Sequence, residues 1–240
     1  MNPAPTRQRV LTGLLLVCFL NLAGCQGSGS MYSDSQAPVD PRIANSRSAE
    51  FFSTSGWQAC AGGAGVGILG CMLGNPSNQT QCMLISAAVM CGVGMGANYY
   101  LDYLRTRYAN DEQRLDAMTA DVRKDNQELR ALTQSARSVI NDDKQKIAQI
   151  KKANTANQQQ RSRAQQQLAE IDSNTAFLKD KLANAQAKHQ EWQKVAVSQH
   201  GSGARMDALN AEINNMQQQI TALQNEIDQL SQQRSSIRLG

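Results

Sequence analysis

Residues 204–237 read ARMDALNAEINNMQQQITALQNEIDQLSQQRSSI. Met206, Ile213, Ile220 and Ile227 recur every seven residues, and Leu209, Met216, Leu223, Leu230 and Ile237 fill the companion position. Apolar residues spaced alternately three and four apart form one stripe of an α-helix, and that stripe is stable only when another helix covers it. Leu209, Ile213, Met216, Ile220, Leu223, Ile227 and Leu230 are therefore predicted as a coiled-coil seam.

The same period is present upstream. Leu101, Tyr108, Leu115, Val122, Leu129 and Ala136 fall seven apart, with Leu104, Met118, Leu132 and Val139 beside them. Asp111 and Asp125 interrupt this seam, and a carboxylate buried there without a partner would be costly. They mark low stability, register control or exposure. The seam fades between Asn141 and Gln167, which reads as a stutter or a loose helix. It resumes at Leu168, Ile171, Leu178, Leu182, Ala185 and Trp192. No Gly or Pro occurs from Ala97 to His200, so a continuous helix over that span would extend roughly 150 Å. Residues 198–205, with Gly201 and Gly203, read as a hinge. Beyond it, 206–238 either folds back on 168–192 as an antiparallel hairpin or pairs in parallel with copies of itself.

Between Phe51 and Leu101 there is no Lys, Arg, Asp or Glu. Two apolar runs, 57–74 and 82–101, flank a polar turn at 75–81, and each is close to the length that spans a hydrocarbon core. Gly63, Gly67 and Gly74 in the first run, and Ala88, Gly92 and Gly96 in the second, stand at helical intervals. Small faces of that kind let two helices approach closely. The segment resembles the two-helix glycine-zipper proteins of bacterial envelopes. That resemblance implies a hairpin that enters a membrane, against the reading of a buried hairpin in a soluble oligomer. Trp57 at one end and Tyr99, Tyr100 and Tyr103 at the other would then form an interfacial aromatic belt.

The first 25 residues have the layout of a secretory signal. Arg7 and Arg9 precede the apolar run 10–20, which is too short to span a membrane as a mature helix. Leu22-Ala23-Gly24-Cys25 resembles the bacterial lipobox. Membership implies cleavage before Cys25, diacylglycerol on its thiol and acylation of the new amino group. Several acyl chains together give a stable anchor. Gln26, where family members kept in the inner membrane have Asp, implies the outer membrane, with the rest of the chain facing the periplasm. Residues 25–50, rich in Ser, Gly, Pro and Asp, read as a flexible tether.

Six cysteines occur. Cys18 leaves with the signal and Cys25 would carry lipid. In an antiparallel hairpin, Cys60 faces Cys91 and Cys71 faces Cys82, so two bridges are predicted in a compartment that permits disulfides. Cys82 and Cys91 are about half a helical turn out of phase, which leaves free thiols acting as small packing residues as the other reading.

The fold class expected is all-α: a short glycine-rich helical hairpin (51–101), a long coiled-coil helix (102–197) and a C-terminal helical hairpin. With Arg7 and Arg9 removed, 22 basic residues face 20 acidic ones. That small excess, without clustering, gives no case for nucleic acid. No phosphate loop, nucleophile–base pair or metal-ligand spacing appears, so no catalytic residue, metal or cofactor is expected. His189 and His200 read as structural or solvated, and the lysines at 144, 146, 151 and 152 as a solvated face. The expected function is that of a lipid-anchored, homo-oligomeric scaffold whose coiled coil recruits or positions a periplasmic or envelope protein, such as a secretion-system component. The competing class is an oligomeric pore built from glycine hairpins.

Overall fold

The computed structural model describes residues 37–53, 92–153, 157–199 and 203–237. All regular structure among them is helical. Two short helices come first, α1 (Pro41–Ala44) and α2 (Arg47–Phe51). A 3-10 turn (Gly92–Met95) leads into α3 (Ala97–Arg107). Three long helices follow: α4 (Asp111–Lys152), α5 (Gln158–Ser198) and α6 (Ala204–Ser235). At 42 residues, α4 is about 63 Å long.

The ends of the long helices are written locally. Asn110 and Asn157 cap α4 and α5, their side-chain oxygens accepting from the amides of Gln113 and Gln160. Asp111 and Glu112 sit in the first turn of α4 and Lys151 and Lys152 in its last, each sign facing the helix end that favours it. The chain leaves helical geometry at Ala153, where ψ is 135°. Gly203, with φ of 89°, opens α6.

Ion pairs fix the directions of the helices. Arg205 meets Asp116, Arg123 meets Glu212 and Arg137 meets Glu226, each pair 89 residues apart. A constant separation means that α4 and α6 run parallel. On α5 the order reverses: Trp192 and Lys188 meet Asp125, whereas Asn174 meets Asp143. Thus α5 is antiparallel to α4, and Arg234 on Asp172 places it antiparallel to α6 as well. The core they enclose takes Leu115, Met118, Val122, Leu129, Leu132, Ala136 and Val139 from α4. From α5 it takes Leu168, Ile171, Leu178, Leu182, Ala185 and Trp192.

Residues 37–53 and α3 fill the remaining groove between α4 and α5. Ile43, Phe52, Tyr100 and Leu104 are fully or almost fully buried there. On α4, the residues bonded to this segment and to α3 include Asp121, Glu128 and Asp142. They form a row five positions out of phase with Asp116, Arg123 and Arg137, which meet α6. Five residues correspond to about 140° around the helix. The amino-terminal segment and α6 therefore lie on different sides of α4.

Four expectations are corrected. Residues 102–197 are not one helix: the chain stops at Arg107, restarts at Asp111, stops at Lys152 and restarts at Gln158, and α5 turns back along α4. The tether read over 25–50 does not extend through its second half. Asp40 and Ser46 cap α1 and α2, and Pro41 is suited to the first helical turn. Burial of Ile43 and Ala49 then holds these helices on the bundle. The apolar run 82–101 does not continue as one helix to Leu101, because Gly96 stands between the 3-10 turn and α3 with φ of 98°. Gly96 is thus required by its backbone rather than by close helix packing, since a Cβ there would come no nearer than 4.0 Å to another group. Gly92 likewise opens the 3-10 turn. Finally, Tyr100 and Tyr103 are core residues and form no aromatic belt, although Tyr99 is 62% exposed. The remainder of 51–101, including Gly63, Gly67, Gly74 and Ala88, lies outside the described residues.

Candidate functional site

All seven seam residues assigned to the last helix are buried, from Leu209 to Leu230. Met206 and Ile237 at its ends pack on the core at partial exposure. Cys25, the predicted lipid site, and Cys60, Cys71, Cys82 and Cys91, the predicted bridges, lie outside the described residues, as does His200.

The densest chemistry lies in the interior. Asp125 is buried, and Lys188 places its Nζ 2.9 Å from Oδ1 while Trp192 donates its indole N–H to Oδ2 at 2.7 Å. Lys188 also lies over the Phe51 ring, 3.7 Å from its centroid, so one ammonium joins α4, α5 and the amino-terminal segment. Tyr100 packs edge-on against Trp192 and donates its hydroxyl to Asp121 at 2.7 Å. Burial pushes the Asp125 carboxyl up and the Lys188 amine down, and their mutual attraction opposes both displacements. Burial also raises the Tyr100 hydroxyl, with Asp121 adding to the effect, so the phenol stays protonated and donates.

A second polar layer lies toward the other end of the bundle. Asn174 donates to Asp143 at 3.0 Å, and its carbonyl oxygen accepts from the Asp40 amide at 2.8 Å. Burial raises the Asp143 carboxyl, while Lys146 sits 3.4 Å away. Arg42 chelates Asp40 and reaches Asp142 at 2.7 Å; its hydrogen bond holds the Asp40 carboxyl below the usual range. A third contact serves α6. Asn126, fully buried, donates to the Glu212 carbonyl and carboxylate.

These groups are spent on one another. Asp125 and Lys188 are both buried, with the Phe51 ring over the ammonium and the Trp192 indole on the carboxylate. No cluster of three or more His, Cys, Asp or Glu side chains suited to a metal occurs among the described residues. No described helix is long and apolar enough to cross a membrane. The sequence reading singled out Asp125 as a costly seam position but missed its partners. Lys188 and Trp192 become neighbours of Asp125 only because α5 turns back. Comparison with protein-family models, with curated proteins and with solved structures gives no match.

Two outcomes follow. Lys188→Met leaves the Asp125 charge buried without its partner and is expected to cost about 3–5 kcal/mol in urea denaturation, whereas Asp125→Leu with Lys188→Leu costs far less. A double variant as unstable as the single one would show that the pair is not what the layer depends on. His189 is buried, and burial depresses its imidazole below the ordinary value of 6.5. The unfolded chain then binds this proton first, so stability falls as pH drops below about 6.5. The loss between pH 7.5 and 5.5 should be smaller in His189→Gln; identical slopes would remove His189 from the account.

Proposed function

We propose that this chain is a lipid-anchored envelope scaffold or assembly factor that recruits or positions a periplasmic or secretion-system component. The observation that carries the reading is the amino-terminal sequence: Arg7 and Arg9, the apolar run 10–20 and Leu22-Ala23-Gly24-Cys25. Its location is the outer membrane, with the helices in the periplasm. The helical interior supports a non-catalytic role, because its ionisable groups are paired with one another and hold helices in register. The outward positions of α6, rich in Gln and Asn, offer a polar docking surface for a protein partner or a second copy of the chain.

In this proposal the uncharged stretch 54–91 is a glycine-zipper hairpin and a second membrane contact. Its glycine spacing also favours a second reading, an oligomeric pore, which requires ion conductance by the reconstituted protein. The scaffold requires none.

Membrane fractionation with mass spectrometry of the mature chain tests the anchor. The expected result is an acylated Cys25 in the outer-membrane fraction, with the acyl mass lost in Cys25→Ser. A mature chain that retains residues 1–24, or carries no acyl mass, would contradict the reading.

A further inference from the structure

From Lys144 to Ala169 the chain carries Lys144, Lys146, Lys151, Lys152, Arg161 and Arg163, and no Asp or Glu. In sequence these cations are two separate groups, one closing α4 and one opening α5. The return of α5 along α4 brings the groups together. Lys146 meets Glu170 at 3.4 Å. Six residues further on along each helix, Lys152 stands beside Ala164. Lys151, Lys152, Arg163 and Arg161 therefore lie within about 6 Å of one another along the bundle axis. Helix α6 ends at Ser235, which the contact of Glu226 with Arg137 places level with Lys146, so this helix does not reach them.

The fold leaves these four charges unused. Lys151, Lys152, Arg161 and Arg163 are exposed, and none meets a carboxylate among the described residues. The carboxylates at this end of the bundle are engaged elsewhere: Asp142 by Arg42, Asp143 and Glu170 by Lys146, and Asp172 by Arg234. Lys151 and Lys152 still suit the carbonyl end of α4. Arg161 and Arg163 stand near the amide end of α5, where a cation is disfavoured, and the first turn of α5 has no acidic residue to offset them. An anion supplied from outside would turn that local cost into attraction.

The surroundings of the charges select the anion. Ile147, Ile150, Ala164 and Leu168 are buried, so among the described residues of this end no exposed apolar side chain larger than alanine is offered to a bilayer. No aromatic residue occurs from Lys144 to Ala169 on which a base could stack. Arginine forks match carboxylates through two parallel hydrogen bonds. The exposed amides of Gln149, Gln159 and Gln166 can both donate to and accept from peptide groups. We propose that this end of the α4–α5 pair is a docking site for an acidic segment of a partner protein. Arg161 and Arg163 are its specific contacts, and Lys151 and Lys152 add charge. The inference rests on the recruiting part of the scaffold reading, not on the anchor, and names the chemistry of what is recruited.

The test uses the full-length chain in neutral detergent and a fluorescein-labelled octaglutamate peptide, followed by anisotropy at physiological ionic strength. Saturable binding is expected, weakened about fivefold in Arg161→Gln with Arg163→Gln. Lys124→Gln with Arg130→Gln removes the same charge at least about 30 Å away along α4, several Debye lengths, and should leave binding unchanged. Both variants should keep the helical circular dichroism of the parent, because every replaced side chain is exposed. No saturable binding, or equal loss in both double variants, overturns the site. Phosphatidylglycerol added to the micelles that displaces the peptide at a lower charge concentration than unlabelled octaglutamate assigns the patch to lipid headgroups and overturns it too. The acyl mass on Cys25 is read on the same preparation. An unacylated chain that binds through Arg161 and Arg163 upholds the docking site and overturns the anchor alone.

Discussion

A carboxylate at the centre of a helical seam must find a counter-charge or give up its ionisation, and Asp125 sits at such a position. The neighbouring turns of α4 offer Val122 and Leu129, which cannot help. The partner comes from sixty-three residues downstream, where Lys188 and Trp192 share one side of α5. Only an antiparallel α5 in one register brings both to Asp125. The pair adds little net stability over a well-packed apolar alternative, but it makes every shifted register expensive. Its value to the molecule is specificity of alignment.

Asp143 with Asn174, and Asn126 with Glu212, repeat that logic at other levels and between other helices. Leucine and isoleucine stripes alone would tolerate a slip of one heptad; these polar contacts do not. The amino-terminal segment is held by the same groups, through Phe51 on Lys188 and Asp40 on Asn174. Docking of that segment and alignment of the long helices therefore draw on the same side chains.

Much of the helical content was legible in the sequence, because a seven-residue apolar period survives whatever partner covers it. Leu115 to Val139 and Leu209 to Leu230 are buried as that period requires. The breaks at 108–110 and 153–157 were harder to see. They carry no Gly or Pro, and their signals are the asparagines Asn110 and Asn157, whose capping role shows only when the side chain meets the third amide beyond. The helices of residues 41–51 are too short to show a period and owe their existence to burial of Ile43 and Phe52 against α4 and α5. Tyr100 looked like a membrane-interface residue from its place after an apolar run. Its acceptor, Asp121, lies on a different helix.

The central claim is that α5 folds back along α4 rather than extending it. The distance between spin labels introduced as non-natural residues at Gln113 and Lys194, measured by pulsed dipolar spectroscopy on the full chain, tests this directly. Antiparallel helices in contact, with the two sites offset by about 12 Å along the axes, predict a separation on the order of 20 Å. A continuous rod would separate the same positions by roughly 120 Å, beyond the range of the method. A short distance that persists on dilution with unlabelled chain, and so arises within one molecule, is the result predicted here. Loss of the dipolar signal on that dilution, or its absence throughout, would contradict it.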